Sequence, residues 1–92
     1  MLKKDLLELC LLQLLSGGEK YGYEVLTPLR AAFPDTQESA IYALLRGLGK
    51  EGFTEWYMAP GGGGPDRKYY RITSAGQTRL EEMRDQWRNM RD

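Results

Sequence analysis

The chain has 92 residues, with thirteen Lys and Arg balancing thirteen Asp and Glu, no histidine and one cysteine. That length suits one small domain, and zero net charge implies no polycationic behaviour of the chain as a whole. Without histidine, and with Cys10 alone, His-dependent nucleophilic triads, the usual zinc sites and an internal disulfide are excluded.

The opening run MLKKDLLELCLLQLLSGG predicts a first helix over Leu2–Leu15, stopped by Gly17 and Gly18. Asp5, Glu8 and Gln13 break its apolar run. It is too short and too polar for a membrane span and lacks a signal-peptide core, so the chain reads as soluble and cytoplasmic. Cys10, within an apolar helix, reads as a small core residue. Leu6, Leu7, Leu9, Leu11, Leu12, Leu14 and Leu15 wrap most of the helix circumference. A surface helix of a small monomer needs only one apolar stripe. The excess points to two buried faces, one in the chain's own core and one against a partner. A central helix covered by its own chain is the alternative.

A second helix is predicted over Tyr21–Ala32, with apolar Tyr23, Val25, Leu26 and Leu29 and with Phe33 just past its end. Pro28 should kink it. After the break at Pro34-Asp35-Thr36, a third helix runs from Gln37 to Lys50, with Thr36 or Asp35 as N-cap. Its core stripe is Ile41, Leu44, Leu45 and Leu48. Gln37, Ser39, Ala43, Arg46 and Lys50 point the other way, and Tyr42 stands at the border. Strands over Phe53–Met58 and Arg67–Ile72 flank the tract Gly61-Gly62-Gly63-Gly64-Pro65 as a long-looped hairpin, in which Trp56 is expected to pack on the strand. A last helix opens at TSAGQ, where Ser74 and Gln77 have capping-box spacing, and carries Leu80, Met83, Trp87 and Met90 on one stripe.

The fold class is therefore mainly α with a small β-hairpin: a winged helix-turn-helix over residues 1–73 followed by a C-terminal dimerisation helix over 74–92. Glycines at Gly61, Gly62, Gly63 and Gly64 let backbone approach a phosphate wall or a narrow groove. Arg67 and Lys68 beside them suit phosphate oxygens. On the third helix, Gln37 and Ser39 near the N-terminal end suit base edges, Ala43 a close approach, and Arg46 and Lys50 the backbone. Each of these features is also compatible with an ordinary solvated surface. A protein-binding winged helix without DNA reading is a second reading, made conceivable by the zero net charge. RGLGKEG (Arg46–Gly52) is not a phosphate-binding loop, since it lies in a helix and lacks the earlier glycine and the Ser/Thr after Lys50. No cofactor motif, metal set or catalytic constellation is present in the sequence, so an enzyme is not expected.

Three segments, LLELCLLQLLSGGEKYGYEVL, ESAIYALLRGLGKEGF and GPDRKYYRITSAG, resemble the short form of the PadR family of winged-helix transcriptional regulators. Together they cover nearly the whole chain in family order. Tyr42 matches a recurrent tyrosine of the family's recognition helix, and Glu51-Gly52 its helix-ending pair. Departures are Ser39-Ala40 where Gly-Thr is frequent, Ala43 where Pro is common, and Pro28, Gly47 and Gly49. The resemblance implies a homodimeric repressor that binds palindromic double-stranded DNA and releases it when a small aromatic or drug-like ligand binds. It also implies that the last helix of one subunit packs on helix one of the other. Trp87 matches a ligand-stacking tryptophan of multidrug-responsive relatives, with Leu7, Leu11 and Met83 as wall residues. Ordinary dimer core is the competing role for Trp87 and Met83.

Overall fold

The computed structural model describes residues 3–91, with side chains through Asn89. The expected helix start at Leu2 and the side chain of Met90 lie outside the described residues. The elements are α1 (Lys3–Ser16), β1 (Lys20–Tyr21), α2 (Gly22–Ala32), α3 (Glu38–Lys50), β2 (Thr54–Pro60), β3 (Asp66–Ile72) and α4 (Ser74–Arg91). Three helices, a hairpin and a long last helix follow in the expected order.

Helix α1 ends where the glycines are. The Gly17 and Gly18 amides donate to the carbonyls of Leu14 and Leu15, and Gly18 takes φ 136°, a conformation that side chains disfavour. The chain then makes a short strand before α2 begins. Lys20 and Tyr21 pair antiparallel with Tyr70 and Tyr69, giving a three-stranded sheet in the order β1-β3-β2. Sequence reading starts α2 at Tyr21 and misses β1, because two residues carry no periodicity. What creates the strand is the second edge of β3, whose backbone needs partners. Helix α2 runs through Pro28, which lies on the exposed face, without interruption to Ala32.

The α3 cap differs from expectation. Gln37, extended at φ −77° and ψ 150°, is the N-cap and offers no side-chain hydrogen bond. The Thr36 amide donates to the Phe33 carbonyl at 3.0 Å, which turns the Thr36 side chain inward. Its Oγ1 is buried without a partner, so neither Thr36 nor Asp35 caps the helix.

Strands β2 and β3 pair from Thr54↔Ile72 out to Pro60↔Asp66, a longer hairpin than expected. Only Gly61–Pro65 remain as the loop. Gly62 and Gly63 take φ 56° and 90°, so two glycines of the tract are required by the turn itself. A single residue, Thr73, separates β3 from α4. Its Oγ1 accepts from the Gly76 amide at 3.0 Å and donates to the Gly52 carbonyl at 2.6 Å. Thr73 is therefore the cap, one residue before the expected Ser74–Gln77 box, because the helix already begins at Ser74.

Helices α1 and α4 lie side by side in the same direction. Arg79 Nε contacts Glu8 Oε2 at 2.9 Å and Arg84 Nε contacts Gln13 Oε1 at 3.0 Å, both with a separation of 71 residues. One core joins α1 (Leu11, Leu12, Leu15) to α2 (Val25, Leu29), α3 (Ile41, Leu45, Leu48), β3 (Tyr70) and α4 (Leu80, Met83). Leu44 and Cys10 are half-buried against it, and burial pushes the Cys10 thiol pKa up, keeping it protonated. Leu6, Leu9 and Leu14 are likewise only half-covered, so the chain itself hides one face of α1 well and the other incompletely. Among the described residues, no helix is long and apolar enough to cross a membrane.

Two glycines of the helices contrast sharply. A Cβ on Gly76 would collide with the backbone carbonyl of Phe53, whereas one on Gly47 would meet nothing within 4 Å. Gly76→Ala is expected to destabilise the fold by about 1–3 kcal/mol through overpacking. Gly47→Ala should stabilise it by about 1 kcal/mol through helix propensity. Urea unfolding of the two variants against the parent checks both signs.

Candidate nucleic-acid interface

The third helix is amphipathic as a consequence of its spacing. Ile41, Leu45 and Leu48 enter the core and so orient the opposite side outward. Ser39, Ala43, Arg46 and Lys50 all lie exposed on that outer side, Gln37 is exposed at its N-terminal end, and Tyr42 is half-buried at its edge. The expected face is thus brought together as one surface. Glu38, at the first turn, is paired with Arg30 of α2 at 3.5 Å.

The sheet separates its side chains by pleat. Thr54, Trp56, Met58, Lys68, Tyr70 and Ile72 share one face, and Glu55, Tyr57, Arg67, Tyr69 and Arg71 share the other. The first face meets α3. A cleft of ≈ 450 Å³ between the two is lined by Arg46 and Lys50 from the helix and by Trp56, Lys68 and Tyr70 from the strands. The Lys68 ammonium stands 4.1 Å from the centre of the Trp56 ring and 5.5 Å from that of Tyr70. Burial is the first cause raising the Tyr70 pKa, reinforced by Tyr42 and opposed by Arg46, so its hydroxyl stays neutral.

On the second face the basic residues divide. Arg71 bonds Glu55 at 2.7 Å and Glu19 at 3.5 Å, so its charge is satisfied within the chain and it does not join a free basic cluster. Arg67 instead lies over the Tyr21 ring at 4.5 Å and packs across Gly61, whose missing Cβ leaves the space for it. It also borders a second cleft, of ≈ 580 Å³, with Lys68, Tyr42 and Tyr23. Among the described residues, Arg46, Lys50, Arg67 and Lys68 belong to no ion pair. These four cations border the clefts between α3 and the hairpin. The glycine tip Gly61–Gly64 stands beyond them, Gly61 buried under Arg67 and the other three exposed.

The expected ligand-wall residues do not converge in one chain. Leu11 and Met83 are 0 % and 2 % exposed, members of the chain's own core. Leu7 borders a ≈ 680 Å³ groove between α1 and α3 that also contains Gln37, Ala43 and the orphan Thr36. Trp87 lies nine residues further along the α1–α4 pairing than the point facing Leu7, roughly 13–14 Å away at 1.5 Å per residue. It falls level with the end of α1 and remains 36 % exposed. Sequence reasoning also missed Trp56 and Met58 as surface residues: they are 56 % and 53 % exposed on the α3 side of the hairpin, not packed away. Alternation along β2 gave no signal for this, because it puts both residues on the same face as the buried Thr54. Among the described residues, no cluster of His, Cys, Asp and Glu could hold a metal ion.

A helix pair whose second member presents a polar face, braced by a three-stranded sheet with a glycine-tipped hairpin, defines a winged helix-turn-helix protein. The chain belongs to the PadR-like family of transcriptional regulators, whose model matches residues 11–82. It is similar to the PadR-like transcriptional regulator of Bacillus cereus, with 40 % identity and a TM-score of 0.86 over 95 % of this chain and 85 % of that one. A Streptococcus transcriptional regulator has 38 % identity and a TM-score of 0.84 over 95 % and 86 %. Bacillus subtilis PadR, in complex with operator DNA, has 28 % identity and a TM-score of 0.71 over 84 % of this chain and 45 % of its own. A Lysinibacillus sphaericus protein of no assigned function is 30 % identical over 89 residues, 94 % of this chain and 82 % of that one.

One titration reports directly on the outer sheet face. Tyr57 donates its hydroxyl to the Glu19 carboxylate, and that hydrogen bond, ahead of desolvation and Glu19's charge, raises its pKa above 10. The folded state therefore holds this proton longer than the unfolded chain. The stabilisation is complete below about pH 10 and is lost as pH rises through the raised value. A phenolate absorbance titration should show two tyrosines, Tyr57 and the buried Tyr70, ionising late in the parent, and one of them ionising earlier in Glu19→Gln.

Proposed function

We propose that this chain is a homodimeric, ligand-responsive transcriptional repressor acting in the cytoplasm on a palindromic operator, and that its role is regulatory rather than catalytic. The observation that carries the DNA reading is the grouping of Arg46, Lys50, Arg67 and Lys68 around the α3–hairpin clefts, free of carboxylate partners while the neighbouring Arg71 is fully paired. Unpaired cations flanking a helix-turn-helix reading face suit phosphates on either side of a groove. The operator-bound relative supports the same use of the fold. Gln37, Ser39, Tyr42 and Ala43 then address base edges and methyl groups, with Arg46 and Lys50 reaching the backbone as the helix leaves the groove.

Dimerisation is supported by what one chain leaves uncovered: the half-buried Leu6, Leu9 and Leu14 of α1, and Trp87 at the point where α4 passes the end of α1. A partner helix laid there would divide the protein as residues 1–73 for DNA and residues 74–92 for assembly. Two reading heads related by a two-fold axis fit half-sites about one helical turn, roughly 34–36 Å, apart. Trp87 offers a flat face for a planar aromatic effector at the interface, while Leu11 and Met83 remain in the core beneath and Leu7 lies about 13–14 Å further back along α1.

Anisotropy of labelled duplex from upstream of the chain's own gene, titrated at two salt concentrations against a scrambled duplex, tests the DNA reading. Salt-sensitive preference for the upstream duplex is expected; no binding at either salt defeats it and favours a protein partner. Arg67→Ala and Arg46→Ala should each weaken all sequences and lower the salt slope by about 1, whereas Gln37→Ala should change which sequence is preferred. Equal losses on every sequence from all three variants would remove base reading from α3. Trp87→Ala should abolish the quenching of its emission by flat aromatic ligands and weaken their binding measured calorimetrically; retained affinity would exclude the stacking role.

A further inference from the structure

The DNA reading above leaves an apolar feature without a use: two large side chains, Trp56 and Met58, more than half exposed on the face of the sheet that looks towards α3. They are not a stray patch. Met58 stands opposite Lys68 in the strand register, Trp56 stands opposite Tyr70, and the Lys68 ammonium lies over both rings. Lys68 is thus positioned by aromatic faces rather than by a carboxylate, so its full charge remains available to an outside anion. Arg46 and Lys50 close the other side of the same cleft. The one acid in it, Glu55, is held by Arg71 on the opposite face of the sheet.

We propose that this cleft is a binding site for one nucleotide unit of the DNA backbone, with a phosphate between Arg46, Lys50 and Lys68 and the adjoining deoxyribose packed on Trp56, which lines the cleft, while Met58 extends the same strand face beyond it. The inference rests on the DNA reading and assigns it residues outside α3 and the glycine tip. A deoxyribose is apolar on its faces and sits one bond from its phosphate, the same alternation of apolar and cationic surface that the cleft presents. An acidic protein segment would satisfy the three cations but has no sugar-like unit at fixed spacing from each charge. Because sugar and phosphate are common to every nucleotide, the site contributes affinity and register without sequence preference.

The experiment compares the parent, Trp56→Phe and Trp56→Ala on the upstream and scrambled duplexes, reading anisotropy of the DNA and tryptophan emission in parallel. The chain has two tryptophans, so Trp56→Phe isolates Trp87. Both duplexes should change the parent's emission, and that change should vanish in Trp56→Phe, whose ring still packs on the sugar and keeps its affinity within about threefold. Trp56→Ala should lose about tenfold on both duplexes alike, and Lys68→Ala should lower the salt slope by about 1. The proposal is overturned if duplex binds by anisotropy while emission is unmoved and Trp56→Ala binds like the parent. It is also overturned if Trp56→Ala loses affinity for only one of the duplexes, which would make Trp56 a base reader. If anisotropy shows no binding at all, the DNA reading itself has failed and this site fails with it.

Discussion

The burial of one side of α1 is the constraint on which the rest of the molecule depends. Leu11, Leu12 and Leu15 are no more than 1 % exposed and belong to the core that joins α2, α3, β3 and α4. In a chain this small, few other residues could substitute for them. Because α1 fills the centre, α3 can commit its own apolar stripe inward and leave an entire polar side free. Truncating any of these leucines would cost on the order of 2–5 kcal/mol, a large share of the stability of such a domain. The exposed polar side of α3 is therefore supported from the far side of the protein.

Electrostatic selection on the hairpin follows from the alternation of a strand. Arg67, Lys68 and Arg71 are close in sequence, yet pleating and pairing give them three different situations: one over a tyrosine beside a glycine, one across two aromatic rings, one locked between two carboxylates. The chain reaches zero net charge while four cations around one pair of clefts belong to no ion pair among the described residues. Net charge is a poor guide here because many of the acids lie along α1, α4 and the outer sheet face, and those near α3 and the hairpin include Glu38 and Glu55, which are held by Arg30 and Arg71.

Helices and hairpin were legible because their signals are periodic and long: the Ile41–Leu48 stripe, the Gly17-Gly18 stop, the glycine tract. The outward face of α3 followed directly from that stripe. What was not legible depended on contacts distant in sequence. β1 exists because β3 has a second edge to satisfy. The α4 cap falls on Thr73 because its hydroxyl also reaches Gly52, and Thr36 fails as a cap because a turn to Phe33 directs it inward. Leu11 is expected as a pocket wall and Met83 as wall or dimer core, whereas both lie in the chain's own core, which only the side-by-side packing of α1 and α4 reveals. Trp56 is expected to pack on the strand; only the folded register shows that it stands exposed opposite Tyr70 under the Lys68 ammonium.

The junction at Thr73 has a mechanical meaning beyond capping. With one residue between β3 and α4, and with that residue's hydroxyl bonded at both ends, there is no slack between the hairpin and the long helix. Gly76, pressed against the Phe53 carbonyl, removes the remaining freedom of the first turn. The hairpin and α4 are therefore joined as a corner and not as two parts on a string: a shift of the first turn of α4 is passed to the base of the hairpin, because no spare residue lies between them to absorb it.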